Sequence, residues 1–372
     1  MDKEQGLHST WAEVDLGAIR ANVRYFLEHT GTQMMAIVKA NAYGHGAVPV
    51  AQAALEAGAT WCGVARVNEA LELRQAGIGC PILILGYTPQ NRLGEMIAEG
   101  VSMTAWDFNQ IQAISAAAAK VNQTARLHLK VDTGMSRLGI PPADAPGFLD
   151  AAAQLPYIRI EGVFTHFARA DEEDHSPTDQ QEALFQDVLD TLNASGIQVP
   201  LIHAANSAAS LTRPSVHFNC VRVGIAMYGL HPSADCPLPS SFHPALRWKS
   251  VLAQVKTMPP GRGISYGHTY TTTHSERIGT VPVGYADGFR RTAGNQVLVR
   301  GQLIPVVGRV TMDQIMVQLD SVPDAHEGDE VIVIGEQDGN RITAEQVAAR
   351  WNTINYEVTS GIAHRVPRVY SR

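Results

Sequence analysis

The sequence predicts an α/β protein: an N-terminal (β/α)8 barrel of the TIM type, followed by a mostly antiparallel β domain. Three observations predict it. Between Asp15 and Gly229, short apolar runs alternate eight times with Ala-rich segments of helical period. After Leu230 the texture changes to period-two alternation broken by glycine turns. The 372 residues, 45% of them hydrophobic, exceed one average domain and suffice for two cores. The barrel is placed at residues 1–240 and the β domain at 241–372, with residues 1–12 packing on the latter.

The barrel opens with a helix that Asp15 can cap, with Ile19, Val23, Phe26 and Leu27 on one face. The eight strand runs follow: MMAIVKA (34–40), WCGVAR (61–66), PILILGY (81–87), VSMTAW (101–106), ARLHLKVD (125–132), IRIEGVFTH (158–166), LIHAAN (201–206) and CVRVG (220–224). "HPSADCPLPSSFHP" (231–244) is rich in Pro and Ser and reads as a linker. Beyond it, LRWKSVLAQVKTM, ERIGTVPVG, QVLVRGQLIPVVGRV, QIMVQLD and DEVIVIG read as strands, and TAEQVAARW as a helix.

Composition narrows the function. A net charge of -7 argues against a general nucleic-acid binder. The four cysteines are scattered without a C-x-x-C pair, so neither a disulfide framework nor a metal site is expected. The first residues lack the apolar core of a signal peptide, and no run is long enough to span a bilayer. The expected location is cytoplasmic, with no membrane partner.

Enzymes on this fold carry their chemistry at the C-terminal ends of the barrel strands. Here those ends hold Lys39 and Tyr43, Lys130 with Arg137 beyond it, His166, Asn206 and Ser207, and Arg222 followed by Gly224 and Ile225. Singly, each has a plainer reading: a solvated rim lysine, a hydrogen-bonded structural histidine, an ion-paired arginine, a helix N-cap. Their convergence on one barrel mouth points instead to a phosphorylated cofactor. Ser207 and the backbone around Gly224 and Ile225 suit a phosphate. A strand-end amine facing such a site suits a Schiff base. Pyridoxal 5'-phosphate makes both demands. A class I aldolase would use a similar lysine and phosphate site, but needs neither an imidazole neighbour nor an arginine facing a ring.

"AIVKANAYGHG" (36–46) resembles the pyridoxal-phosphate attachment signature of alanine racemases. The similarity continues through "HLKVDTGMSRLG", "GVFTHFA", "HAANSAA", "VRVGIAMYG", "ISYGHTY", "VPVGYADGF", "GRVTMDQ", "INYEV" and "RVPRVY", in order and across both domains. The resemblance implies racemisation of L- and D-alanine with two bases on opposite faces of the substrate, because a planar carbanion formed from one side must be reprotonated from the other. It makes Lys39 the cofactor lysine and one base, and Tyr266 the other. Both side chains ordinarily hold their protons at neutral pH, so their surroundings must shift them.

By the same resemblance Arg222 faces the pyridine nitrogen, and His166 lies beside the ring. Tyr43, Asn206, Ser207, Gly224, Ile225 and Tyr356 belong to the cofactor site. Arg137, Met312 and Asp313 meet the substrate, Met312 through its backbone. Lys130 stands where some relatives carry a carbamylated lysine. Tyr285 and Arg291, with Tyr356, line a narrow entrance. Tyr266 belongs to the second domain and in the family reaches the partner subunit's barrel, which implies a homodimer with shared sites. The implied role is D-alanine supply for cell-wall peptidoglycan, or alanine catabolism. His268 and Thr311 depart from the family pattern; His268 reads most simply as a polar loop residue.

Three alternatives remain at this level. A serine or broad-specificity amino-acid racemase shares all these features. A non-catalytic pyridoxal-phosphate carrier lacks the second domain and its tyrosine. A barrel decarboxylase has a cysteine-bearing loop that is absent from this sequence.

Overall fold

A computed structural model describes residues 8–371. The chain forms two compact units. One contains Ala18–Ala42 and Ala47–His243; the other contains residues 8–17, Tyr43–Gly46 and residues 244–371.

The described chain opens with β1 (Thr10–Asp15), which belongs to the second unit. The first unit is built on β2 (Gln33–Ile37), β3 (Trp61–Val64), β4 (Ile82–Ile84), β5 (Ser102–Ala105), β6 (Ala125–Lys130), β7 (Ile158–Phe164), β8 (Leu201–His203) and β9 (Cys220–Val223). All eight predicted runs are strands. They pair in parallel in the order β8-β7-β6-β5-β4-β3-β2-β9. Such strands bury both faces, and β3, β4, β5 and β9 are buried at every residue.

The seam between β8 and β9 closes with few main-chain bonds. Arg222 N–H donates to Ala205 O at 3.0 Å. Asn219 substitutes for the ladder, accepting from Ile202 N–H at 2.8 Å and donating to Pro200 O at 2.9 Å. The outer helices carry ordinary caps; Asp107, for example, accepts from Gln110 N–H at 3.0 Å. The Pro/Ser-rich stretch is more than a linker. It buries Cys236, Leu238 and Phe242, and the Phe242 ring meets Tyr25 and Phe26 edge-on at 4.7 and 5.6 Å.

The second unit adds β10 (Leu246–Val251), β11 (Gln254–Met258), β12 (Gly263–Ile264), β13 (Tyr270–Thr271), β14 (Glu276–Val281), β15 (Gln296–Val299), β16 (Gln302–Val307), β17 (Ile315–Gln318), β18 (Glu330–Gln337), β19 (Asn340–Ile342) and β20 (Arg368–Ser371). Its main sheet runs β11-β14-β17-β16-β15-β18-β10-β1-β20, with β19 on β18, and is antiparallel except where β1 meets β20. Trp248, Phe289 and Trp351 form its aromatic centre, in edge contacts at 6.2 and 5.8 Å. The predicted helix is present at Ala344–Arg350. The elements that went unforeseen include β1, β20, the short strands β12, β13 and β19, and the helix Asn355–Ser360, which holds the "INYEV" motif. No helix among the described residues is long and apolar enough to cross a membrane.

Candidate active site

Lys39 lies two residues beyond β2, at the start of an unusual turn. Ala40, Asn41 and Ala42 take φ of 52–53° and ψ of 48–52°, and Tyr43 takes φ of 53°. A left-handed helical turn of non-glycine residues costs about 1–2 kcal/mol per residue, so the surroundings must impose it. Ala42 N–H donates to Val38 O at 2.9 Å. Ala47 N–H donates to the Asn41 side chain at 2.9 Å. Glu69 does the most: its carboxylate accepts from Ala40 N–H at 2.7 Å, Ala65 N–H at 2.7 Å and Arg66 N–H at 3.0 Å. The turn therefore fixes how Lys39 leaves its strand.

The barrel mouth is strongly cationic. Burial, chiefly, and then the charge of Arg137 hold the Lys39 amine below the ordinary lysine range; Glu69 opposes this and Arg222 adds to it. Lys130, the last residue of β6, is only 3% exposed. Burial and then Arg137 and Arg222 bring it down to about 8, against the pull of Asp132. Its Nζ and the Arg222 guanidinium lie 5.7 and 5.3 Å from the Phe164 ring centre. Asp132 accepts from Gly134 and Ser136 N–H at 3.1 and 2.9 Å, shaping the loop that presents Arg137.

Arg222 is buried on β9 and held by five acceptors. Nη1 donates to His203 Nδ1 at 3.1 Å and His203 O at 2.8 Å. Nη2 donates to Thr165 O at 2.9 Å, His166 Nδ1 at 3.1 Å and Ala204 O at 2.9 Å. Nε takes no partner among the described residues. Burial and then the Arg222 charge push His166 well below the usual histidine range, so it stays neutral. Beside it, Asn206 caps the helix Ser207–Thr212 by accepting from Ala209 N–H at 3.0 Å. The Ser207 hydroxyl accepts from Gly224 N–H at 2.9 Å and Ala226 N–H at 3.4 Å, so backbone N–H groups next to Ile225 converge on one buried point. The first unit thus brings together Lys39, Lys130, Arg137, His166, Asn206, Ser207, Arg222, Gly224 and Ile225.

The second unit holds the remaining residues. The Tyr43 and Tyr356 rings lie 6.1 Å apart. Tyr43 follows a glycine-dependent path: Gly44 has φ +89°, and a Cβ there would sit 2.0 Å from Thr359 O. Tyr266 is 68% exposed, on the β12–β13 connection, where Ser265 takes φ 60° and its hydroxyl donates to Arg309 O at 2.6 Å. It lines an open cleft of about 870 Å³ with Lys256, Arg262, His268 and Gln314. Tyr285 and Met312 are also exposed, as is Arg291. The Met312 carbonyl already accepts from Ala286 N–H at 3.0 Å. Asp313 is bound by Arg365 Nη2 at 2.7 Å. The His268 ring packs on Gly263, where a Cβ would lie 2.3 Å from His268 Cγ, in keeping with a loop-packing role. Thr311 Oγ1 bonds Gln314 O at 2.8 Å.

Comparison with known proteins decides the family. Residues 14–232 match the model of the alanine racemase N-terminal domain, and residues 245–370 that of the C-terminal domain. The chain belongs to the alanine racemase family. It is therefore an isomerase. Relatives include the alanine racemases of Symbiobacterium thermophilum, 46% identical over 98% of both chains, and Desulfovibrio desulfuricans, 46% identical over 97% of both. Similar solved structures include the alanine racemase of Clostridium difficile 630, with a TM-score of 0.94 at 41% identity over 98% of this chain and 96% of that one. That of Bacillus anthracis with bound L-Ala-P has a TM-score of 0.93 at 42% identity, over 98% and 95%.

Sequence reasoning missed Glu69 and the buried histidines His128 and His203. Glu69 left a faint signal, an acidic residue three positions after Arg66 at a helix start. His128 stands inside a quoted motif, but strand alternation alone does not say that its ring is buried.

Proposed function

We propose that this isomerase interconverts L- and D-alanine with pyridoxal 5'-phosphate, using Lys39 and Tyr266 as bases on opposite faces of the substrate. The observation that carries the reading is the lysine amine of lowered proton affinity among Arg137, Lys130, Arg222 and His166. The donor set fits the cofactor. A cationic mouth suits its phosphate and the substrate carboxylate, and Arg222 keeps Nε beyond its five occupied contacts for a ring nitrogen. When bound, pyridoxal phosphate supplies an aldehyde for an amine and a conjugated ring that acidifies the substrate α-hydrogen.

The protein's own residues do the rest. Lys39 holds the cofactor and moves a proton at the substrate α-carbon on one face. Tyr43, Ser207, Gly224, Ile225 and Tyr356 hold the phosphate end, and Asn206 belongs to the same cofactor site. Arg222 stays protonated, since burial lowers it only to about 10. It donates and never accepts, so it would meet a bound ring nitrogen only as a donor and would favour that nitrogen unprotonated. His166, neutral, bridges to Arg222. Arg137 binds the substrate carboxylate, with Met312 and Asp313 on the substrate side. Tyr285 and Arg291 narrow the entrance toward small amino acids.

Tyr266, exposed with Tyr285 and Met312, is the group a second copy supplies, so the working form is a cytoplasmic homodimer with shared sites. Its product serves D-alanine supply for peptidoglycan, or its substrate alanine catabolism. Rates with L-alanine, L-serine and L-lysine test the substrate. Alanine turns over fastest on this reading, and faster turnover of serine contradicts it.

A further inference from the structure

The barrel interior holds a chain of polar side chains that the reaction does not use directly. Arg222 donates to His203 Nδ1, so that nitrogen carries a lone pair. Neutral His203 then has its proton on Nε2, which lies 2.9 Å from His128 Nδ1. His128 must accept there and hold its own proton on Nε2. That atom is buried, makes no hydrogen bond among the described residues, and lies 3.5 Å from Glu161 Oε2. The same Glu161 oxygen accepts from Ser102 Oγ at 2.6 Å. Arginine at one end and carboxylate at the other demand the same pair of tautomers.

The backbone is shaped around this chain. In the β6–β7 register Leu127 pairs with Ile160, but His128 pairs with Gly162, leaving Glu161 as an extra, bulged residue. Bulges re-aim side chains. Glu161 keeps only 14% side-chain exposure. A Cβ at Gly162 would lie 2.4 Å from His128 Nδ1, so glycine is what admits the ring. His203 stacks on Phe164 at 4.7 Å and 7°, and His128 meets Trp61 edge-on at 5.2 Å. The charged groups facing the chain are Arg222 and Glu161, with Arg126 acting on Glu161. Burial first, then Arg222, lowers His203; burial lowers His128 against the pull of Glu161, so both rings are neutral.

We propose that Glu161 is a positioning residue for Arg222, acting through single tautomers of His128 and His203 to fix the guanidinium at the barrel mouth. The proposal rests on the reading that Arg222 faces the cofactor ring. Facing Nε2 at 3.5 Å, a carboxylate has no hydrogen to offer and favours the proton on His128 by its charge, whereas an amide in its place can donate to Nε2. That reverses His128 and sets His203 against Arg222, two donors meeting at one nitrogen.

The test uses enzyme labelled with 15N in its histidine rings, with and without pyridoxal phosphate, between about pH 6 and pH 8. His128 and His203 should both appear neutral with the proton on Nε2. Glu161→Gln should reverse or mix the His128 tautomer and lower kcat about tenfold, the worth of one net hydrogen bond, with KM unchanged. Glu161→Asp keeps the carboxylate and should restore the tautomers and most of kcat. A protonated ring in the wild type, or wild-type tautomers and kcat in Glu161→Gln, overturns the proposal. Because the tautomers are read without cofactor, they stand or fall separately from the racemase reading, which fails if Lys39→Ala still racemises alanine.

Discussion

Burial and Arg137 are the two largest effects holding down the proton affinity of the Lys39 amine, which suits it to the proposed role of base. Lys39→Ala is expected to abolish both the visible absorbance of bound cofactor and racemisation, measured by spectrophotometry and chiral chromatography. Tyr266 calls for a different measurement. Enantiomers are equal in free energy, so kcat/KM must be equal in both directions for any variant. The asymmetry appears instead in isotope effects. If Tyr266 is the base that meets L-alanine and Lys39 the one that meets D-alanine, Tyr266→Phe should retain the cofactor absorbance, slow turnover strongly, and raise the primary isotope effect with α-deuterated L-alanine more than with α-deuterated D-alanine. Equal effects would contradict the assignment of faces.

Lys130, at about 8, is a buried amine that loses its proton within reach of neutral pH. Its proton affinity in the folded chain is depressed. Above about 8 the folded state therefore binds fewer protons than the unfolded one, and this group's contribution to stability rises with pH until the unfolded lysine also deprotonates. The neutral amine can add to carbon dioxide, forming an N–C bond and releasing one proton, which turns a cation beside Arg137 into an anion. With 13C-bicarbonate, a carbamate signal should grow as pH rises through about 8 and be absent in Lys130→Ala. No Lys130-dependent signal would contradict it.

Among the elements, the turn Ala40–Tyr43 is the least expected, and Glu69 the residue that maintains it. Glu69→Ala removes the acceptor of three backbone N–H groups. It should cost about 2 kcal/mol or more, seen as a lower denaturation midpoint, with a parallel loss of kcat. An unchanged midpoint would show that the turn holds itself. The strands of the barrel were legible because parallel strands buried on both faces are continuous apolar runs. The site residues at their ends were legible as types in order. The left-handed turn was not, because Ala40, Asn41 and Ala42 carry no glycine to announce positive φ; the constraint comes from Glu69, 29 positions from Ala40. Nor was β1 legible, since its partners β10 and β20 lie more than 200 residues away.

For the whole molecule, the two-unit organisation separates the two proposed bases. Lys39 belongs to the barrel unit and Tyr266 to the β unit, whose core depends on Trp248, Phe289 and Trp351. Phe289→Ala should cost about 3–5 kcal/mol by leaving a cavity there, and urea denaturation should show that loss. The sharing of sites between copies is tested most directly by subunit mixing. Lys39→Ala and Tyr266→Phe protein, each inactive or nearly so, are dissociated together and reassembled at equal concentration. In a two-fold dimer with shared sites, a mixed dimer has one site with both Lys39 and Tyr266 intact. Random reassortment makes half the dimers mixed, so activity should return to about a quarter of wild type. No recovery from a mixture shown to contain mixed dimers would contradict the shared two-base site.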